Sequence, residues 1–266
     1  MRRGARTHFD GQQVSGNQQR AQFAAAREDT RYAIHGVMFD MTAGRLRLVA
    51  TDGRRLALFD SDLEFPESHE RDFILPTKAV TELQRLLSED GEVVISSSEN
   101  LVSFELNGAR LVSKLVEGNY PNYRQVIPGE AKERIALERE AFHNCVRRVS
   151  ILSSDKTSSV RLIFTKNNLD ITANTPEVGE AKESMSINYK GRDISIAFNP
   201  EFLMDPLRAL TKDEVFFEVK DEVSPGVFKT LENRLRELAF LNSGVRILLE
   251  DERPAEPLRS ELFYEG

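Results

Sequence analysis

Two stretches of this chain read alike 123 residues apart: residues 46–51 and residues 169–174 both alternate apolar and polar positions and end in a polar turn. Each sits at the same place in a longer order of helix, strands, helix and strands, so the chain is a tandem of one supersecondary unit. In the first unit a short helix over residues 22–28 leads to strands at 34–39, 46–51 and 56–60. Ile74-Leu75-Pro76-Thr77 then opens a helix, with Thr77 as its cap and Val80, Leu83, Leu86 and Leu87 on one face. Strands at 93–96, 101–106 and 109–115 follow, the last two joined by Asn107-Gly108, a strong two-residue hairpin signal. The second unit predicts a helix over 139–152 with Phe142, Cys145, Val146 and Val149 inward, then strands at 160–165, 169–174, 181–187 and 194–198. Asn199-Pro200 caps a helix whose Phe202, Leu203, Leu207 and Leu210 face the core, and Pro206 inside it should kink or shorten it. A strand at 215–219 and a Ser224-Pro225-Gly226 turn complete the repeat.

Composition removes several classes. With 266 residues, 40% hydrophobic and 30% charged, the chain is long enough for one large or two medium globular cores. A single cysteine, Cys145, excludes a disulfide framework and suits a reducing cytosol. No apolar run approaches the ~20 residues of a membrane span, and the basic, polar start has no signal-peptide core. The net charge of −7 does not suggest a nucleic-acid binder, so any contact with DNA must come from a local basic surface or from topology.

The densest local signal is Thr51-Asp52-Gly53-Arg54-Arg55-Leu56. Its lead-in, Arg45-Leu46-Arg47-Leu48-Val49, alternates as a half-buried strand does, and Asp-Gly supplies a tight turn. Two adjacent arginines leaving that turn point to a surface site beside an apolar strip, or to an ordinary hairpin with solvated arginines. Catalytic chemistry finds little support. His8, His35, His69 and His143 are scattered, with no metal-ligand spacing around Cys145. Ser97 and Ser98 lack a nucleophile elbow, and neither common Gly-rich phosphate loop occurs. The clusters Glu89-Asp90 and Glu250-Asp251-Glu252 read as turn and surface charge. No enzyme activity and no cofactor or metal are expected.

Several motifs nonetheless carry a family resemblance. Arg31-Tyr32-Ala33-Ile34-His35-Gly36-Val37-Met38-Phe39, the stretch 50–57, Ile74-Leu75-Pro76-Thr77-Lys78 and Ser113-Lys114-Leu115-Val116-Glu117-Gly118-Asn119-Tyr120-Pro121-Asn122-Tyr123 resemble the bacterial DNA polymerase III beta subunit, the sliding clamp. So do Ala173-Asn174-Thr175-Pro176-Glu177 and Phe198-Asn199-Pro200-Glu201-Phe202-Leu203. The resemblance is nearly collinear over about residues 21–228 and corresponds to the second and third of that family's three similar domains. It implies an α+β DNA-clamp fold of two clamp domains, helices on one face of antiparallel sheets. The first would cover residues 21–128 and a truncated second one 129–229, after an unmatched and disordered leader at 1–20. Residues 230–266, beginning near Leu231-Glu232-Asn233-Arg234-Leu235, are similar to a segment of the DNA gyrase B protein. The seam falls near 228–232, and a tail strand at 245–249 is a candidate replacement for a lost edge strand.

The resemblance implies a polymerase processivity factor in the bacterial cytoplasm. Its partners would be double-stranded DNA, bound without sequence specificity, the polymerase III catalytic subunit, the clamp loader and other peptide-bearing proteins. DNA-facing positions carried over are Arg27, Arg31, Tyr32, Lys78, Arg147, Arg148 and Lys156. A cleft for partner peptides would use Arg31, Ile34, Thr51, Gly53, Arg54, Arg55, Leu56, Pro121, Tyr123 and Val126, with apolar walls for a Leu or Phe and Arg55 offering its fork to peptide carbonyls or carboxylates. Gln125 stands where many relatives carry a basic residue. The family forms homodimeric rings by joining the first domain of one copy to the third of another, so a chain lacking one and truncating the other is not expected to close a ring. The competing readings are a gyrase-B-like topoisomerase or ATPase fragment, suggested by the tail, and a peptide-binding module that forms no ring.

Overall fold

The computed structural model describes residues 6–10, 21–26, 32–62, 65–87, 92–106, 108–128, 134–153, 159–175, 179–230 and 236–239. Its elements repeat in order. The first unit holds β1 (Arg6–Asp10), β2 (Gly36–Thr42), β3 (Arg45–Thr51), β4 (Leu56–Asp62), β5 (Arg71–Pro76), α1 (Thr77–Leu86), β6 (Glu92–Ser97), β7 (Leu101–Leu106) and β8 (Ala109–Lys114). The second holds β9 (Arg134–Glu138), α2 (Arg139–Ser150), β10 (Val160–Thr165), β11 (Asn168–Thr175), β12 (Gly179–Ser186), β13 (Ile194–Phe198), α3 (Pro200–Ala209), β14 (Glu214–Glu218), β15 (Val227–Lys229) and β16 (Arg236–Ala239). Short 3-10 turns at Gln22–Ala24 and Tyr32–His35 stand where a helix over 22–28 and the start of a strand at 34 are expected.

Every strand pairing is antiparallel. One sheet runs β1-β6-β7-β8, another β12-β11-β10-β13, and between them an eight-stranded sheet runs β5-β2-β3-β4-β16-β15-β14-β9. The repeat is therefore visible in the topology. β1-β6-β7-β8 of the first unit corresponds to β9-β14-β15-β16 of the second, and β5-β2-β3-β4 corresponds to β13-β10-β11-β12. β4 and β16 join the units, with Leu238 opposite Ala57 and Ala239 opposite Leu56.

Two expectations are corrected here. The leader is not wholly unstructured, because Arg6–Asp10 pairs along its length with β6 and supplies the outer strand of its sheet. Nor is the second unit truncated at 229, since Arg236–Ala239 provides the fourth strand of its half-sheet. The candidate strand at 245–249 lies outside the described residues.

Within each unit the two sheets face each other through aromatic side chains. Phe39 of β2 meets Phe104 of β7 at 6.1 Å between ring centroids, and Phe164 of β10 stacks on Phe217 of β14 at 5.7 Å. Phe228 closes the second cluster against Phe142 of α2. Ring pairs of this kind contribute beyond their buried area.

The helices follow the apolar periodicity with local departures. In α1, Ala79, Val80 and Leu83 are buried, but Leu86 is 37% exposed because the helix ends there and turns away. Thr77 does not cap the helix; its hydroxyl donates to the His35 carbonyl and ties α1 to the entry of β2. Asn199 does cap α3, accepting from Glu201 N, and the helix continues through Pro206 to Ala209. A proline seven residues into so short a helix removes one late hydrogen bond, and its burial holds the last turn in place. No helix among the described residues is long and apolar enough to cross a membrane.

Gly36 begins β2 directly against β5. A Cβ there would lie 2.5 Å from the Leu75 carbonyl oxygen, a backbone atom that cannot rotate away. Gly36→Ala is expected to destabilise the fold by about 1–3 kcal/mol through overpacking, read as a lower urea midpoint at unchanged slope.

Candidate functional site

The turn between β3 and β4 satisfies its own polar groups. The Asp52 carboxylate accepts from Arg54 N and Arg55 N, both at 2.9 Å, and the Thr51 hydroxyl donates to the Arg55 carbonyl at 2.7 Å while accepting from Gly53 N at 3.0 Å. Gly53 takes φ +83°, a conformation that disfavours any side chain. The motif thus exposes Arg54 and turns Arg55 inward.

Arg55 does not offer an open fork. Its Nε donates to Asp52 Oδ2 at 3.0 Å, Nη1 to Asp205 Oδ2 at 2.6 Å and Nη2 to the Phe23 carbonyl at 3.0 Å. Its guanidinium also lies over the Phe202 ring at 4.7 Å and the Phe23 ring at 5.4 Å, a double cation–π contact. Asp205 and Phe202 belong to α3, so this one side chain spans the two units.

Beside the turn runs the connection after β8. The Tyr120 hydroxyl reaches the Val49 carbonyl at 3.2 Å, and burial pushes its pKa well above the ordinary tyrosine value. Tyr123 donates to Asp40 Oδ2 at 2.6 Å, and Arg124 Nη2 donates to the same oxygen at 2.8 Å. Asp40 is one end of a charged row built by strand register. It stands opposite Arg47, which stands opposite Asp60. Arg47 donates to Asp60 at 3.2 Å and approaches Asp40 at 3.6 Å. Burial pushes the Asp40 pKa up, but hydrogen bonds from Tyr123, Thr42 and Arg124 and the Arg47 charge together bring it below the ordinary carboxylate value. A cleft of about 860 Å³ opens between this connection and the edge of β5, lined by Phe73, Ile74, Val116, Tyr120, Pro121 and Tyr123 among others.

The ten residues expected to form a peptide cleft are thus distributed. Ile34, Thr51, Leu56 and Tyr123 are buried, as core packing demands. Gly53 and Val126 are half-buried, and Arg54 and Pro121 are exposed. Of these ten, Pro121 and Tyr123 border the 860 Å³ cleft. Arg31 lies outside the described residues.

Of the positions expected to face DNA, Lys78 on α1 and Arg147 on α2 are exposed. Arg148 is tied to Glu183, Nε to Oε1 at 2.7 Å and Nη2 to Oε2 at 3.0 Å, so β12 holds it across the helix face. Tyr32 is placed only by its backbone, in a 3-10 turn, and Arg27 and Lys156 lie outside the described residues. Next to Arg147, burial and the charges of Arg208 and Arg147 push the pKa of His143 below the ordinary histidine value. Among the described residues no group of three or more His, Cys, Asp or Glu is placed to hold a metal ion.

Residues that the sequence does not mark are the partners. Asp205 and Asp40 read there only as isolated acids, and Phe202 only as a core position. Their roles follow from contacts spanning 150 residues for Arg55–Asp205 and 84 for Arg124–Asp40.

The family described as DNA polymerase III beta subunit, central domain, matches residues 10–122, and its C-terminal domain matches residues 124–241. The second match continues past the expected seam and takes in β16. A beta sliding clamp of Chlamydia muridarum is 34% identical over 227 residues, 85% of this chain and 62% of that relative. One of Pseudomonas aeruginosa is 34% identical over 215 residues, covering 80% and 59%. The chain therefore spans roughly three-fifths of the length of the curated relatives it matches. Among solved structures, a Bartonella birtlesii sliding clamp bound to griselimycin superposes with a TM-score of 0.85 at 31% identity, covering 97% of this chain and 67% of that one. A Pseudomonas aeruginosa sliding clamp bound to griselimycin gives a TM-score of 0.86 at 30% identity, covering 91% and 66%.

Asp40→Asn leaves Arg47 and Arg124 facing an uncharged amide in a buried site, and we expect a loss of about 3 kcal/mol at neutral pH. Because the folded-state pKa of Asp40 lies below its ordinary 3.8, the wild-type advantage should be complete above that value and vanish as pH falls through the lower one. Urea unfolding of both proteins across pH 2.5 to 7 checks the magnitude and the sign.

Proposed function

We propose that this chain, which belongs to the DNA polymerase III beta-subunit family, is a processivity factor that surrounds duplex DNA and tethers replication proteins to it. The observation that carries this reading is the join between units. β4 and β16 continue one sheet across it, and their repeat counterparts β12 and β8 stand at the outer edges of the two flanking sheets. A contact between β12 of one copy and β8 of the next would reproduce the internal join, and a head-to-tail contact of that kind closes into a ring when its rotation allows. The expectation of no ring rests on a missing first domain as well as on a truncated second unit; the strand Arg236–Ala239, past 229, is what supports the join read here.

In this reading the protein performs no chemistry. Lys78 and Arg147 supply exposed positive charge for phosphate contacts, which carry no sequence information and weaken with salt. Polymerase, clamp-loader and other partner peptides would lodge in the seam around the Thr51–Leu56 turn, with Pro121 and Val126 opposite. The gyrase-like reading of the tail covers residues 230–266, and the family match runs into that segment, through 241. Any topoisomerase or ATPase reading rests on that segment alone.

Sedimentation velocity across a range of protein concentrations, followed by retention on nicked circular DNA, tests the proposal. We expect concentration-dependent assembly and a DNA-bound fraction that is released when the circle is cut once. A protein that stays monomeric at every concentration, or whose retention ignores the DNA ends, would overturn it.

A further inference from the structure

The 860 Å³ cleft beside the connection after β8 is lined by the first unit alone, and no residue of β4 or β16 borders it. Hydrogen bonds fix its walls. Leu115 N donates to the Asn100 carbonyl at 3.0 Å, Val116 N to the Ile74 carbonyl at 2.9 Å, and Arg71 Nη2 to the Ser98 carbonyl at 2.9 Å. The connection, β5 and the turn between β6 and β7 are therefore tied to one another around an open space. Ile74, Val116, Tyr120 and Pro121 give that space its apolar surface.

Two features of the cleft select an occupant. The first is backbone. β5 is the outer strand of its sheet, and in an antiparallel ladder alternate residues point both backbone groups to the same side. Because the Ile74 carbonyl reaches Val116, Ile74 and Asp72 both face away from β2. Among the described residues no backbone group pairs with the Ile74 N–H or with the N–H and carbonyl of Asp72. The second feature is charge. Asp40 is already paired with Arg124 at 2.8 Å. Asp72 of β5, Glu99 of the β6–β7 turn and Glu117 of the connection then stand against Arg71 alone. These three carboxylates are exposed, and none has a hydrogen-bond or ion-pair partner among the described residues. We propose that the cleft docks an extended, basic peptide segment of a partner protein, which adds a strand to β5 at Asp72 and Ile74. Main-chain bonds give such a segment its affinity, and the sites for alternate side chains give it specificity. Lys or Arg side chains meet the three carboxylates, and apolar ones between them rest on Ile74, Val116 and Tyr120. Nucleic acid is turned away, because its phosphates would meet the same carboxylates. Docking here is separate from the Thr51–Leu56 seam and does not depend on it.

The test uses the full chain and two fluorescein-labelled, C-terminally amidated peptides, Phe-Lys-Leu-Lys-Phe and Phe-Glu-Leu-Glu-Phe. In anisotropy titrations at low salt the lysine peptide should bind about tenfold more tightly than the glutamate one, and added salt should shrink the difference. Its binding should slow hydrogen exchange at the Asp72 and Ile74 amides, as new main-chain bonds require. Asp72→Asn, Glu99→Gln and Glu117→Gln together should bring the two affinities within about twofold of each other. If the Asp72 substitution disturbs the thermal transition, Glu99→Gln with Glu117→Gln takes its place, and the preference should fall to about threefold. A comparison variant, Asp213→Asn with Glu214→Gln and Glu222→Gln, changes the net charge equally at exposed positions of the second unit and should keep the tenfold preference. If it lowers the preference as much as the cleft variant does, the attraction is to the overall charge of −7 and the proposal is overturned. Equal binding of the two peptides by the wild type, binding of neither, or unchanged exchange at Asp72 and Ile74 in the saturated complex overturns it as well.

Discussion

Backbone pairing between β4 and β16 carries one sheet from the first unit into the second, and the position of every other surface follows from it. Antiparallel ladders are directional and repetitive, so once the register is set the two units are held at a defined distance and twist. The same pairing answers the hazard that each half-sheet would otherwise face, a row of unpaired backbone groups along its edge. Because the repeat places β12 and β8 where β4 and β16 stand in the neighbouring unit, the chain presents at its ends the two halves of the joint it uses internally. That equivalence is the physical basis of the proposed assembly.

Side chains refine what the ladder positions. The row Asp40–Arg47–Asp60 crosses three strands in register and takes its last partners, Tyr123 and Arg124, from the connection that leaves the first unit. A buried charged row of this kind contributes little to net stability compared with apolar packing, but it is strongly destabilising to break. It therefore fixes one path for the connection among several that apolar packing alone would allow. Arg55 does the same across the seam. Its hydrogen bonds converge from both units, and its flanking rings keep water from competing for them.

Much of this is readable locally. The alternation at Arg45-Leu46-Arg47-Leu48 marks β3, the Asp-Gly turn marks the corner after Thr51, and Asn199-Pro200 marks the start of α3, because turn and cap preferences act within a few residues. Local signals mislead where the partner is distant. Thr77 looks like a helix cap in sequence, yet its hydroxyl serves His35, 42 residues earlier. Residues 6–10 lack apolar weight of their own, and become a strand because β6 supplies the other half of every hydrogen bond. Arg55 reads as an open recognition residue until Asp205, 150 residues later, is seen to fill its fork.

The sequence by itself determined the repeat, the strand and helix order of each unit, the turn that carries Arg54 and Arg55, and the family resemblance in the motifs around them. These rest on periodicity and on short-range backbone preference, which neighbouring residues dictate. Only the tertiary structure decided that a strand past 229 joins the second unit's half-sheet, that Asp40 anchors the connection, and that Arg55 is already paired. Each of these depends on a pairing partner far away along the chain, and hydrogen bonds and charges recognise proximity in space rather than separation in sequence.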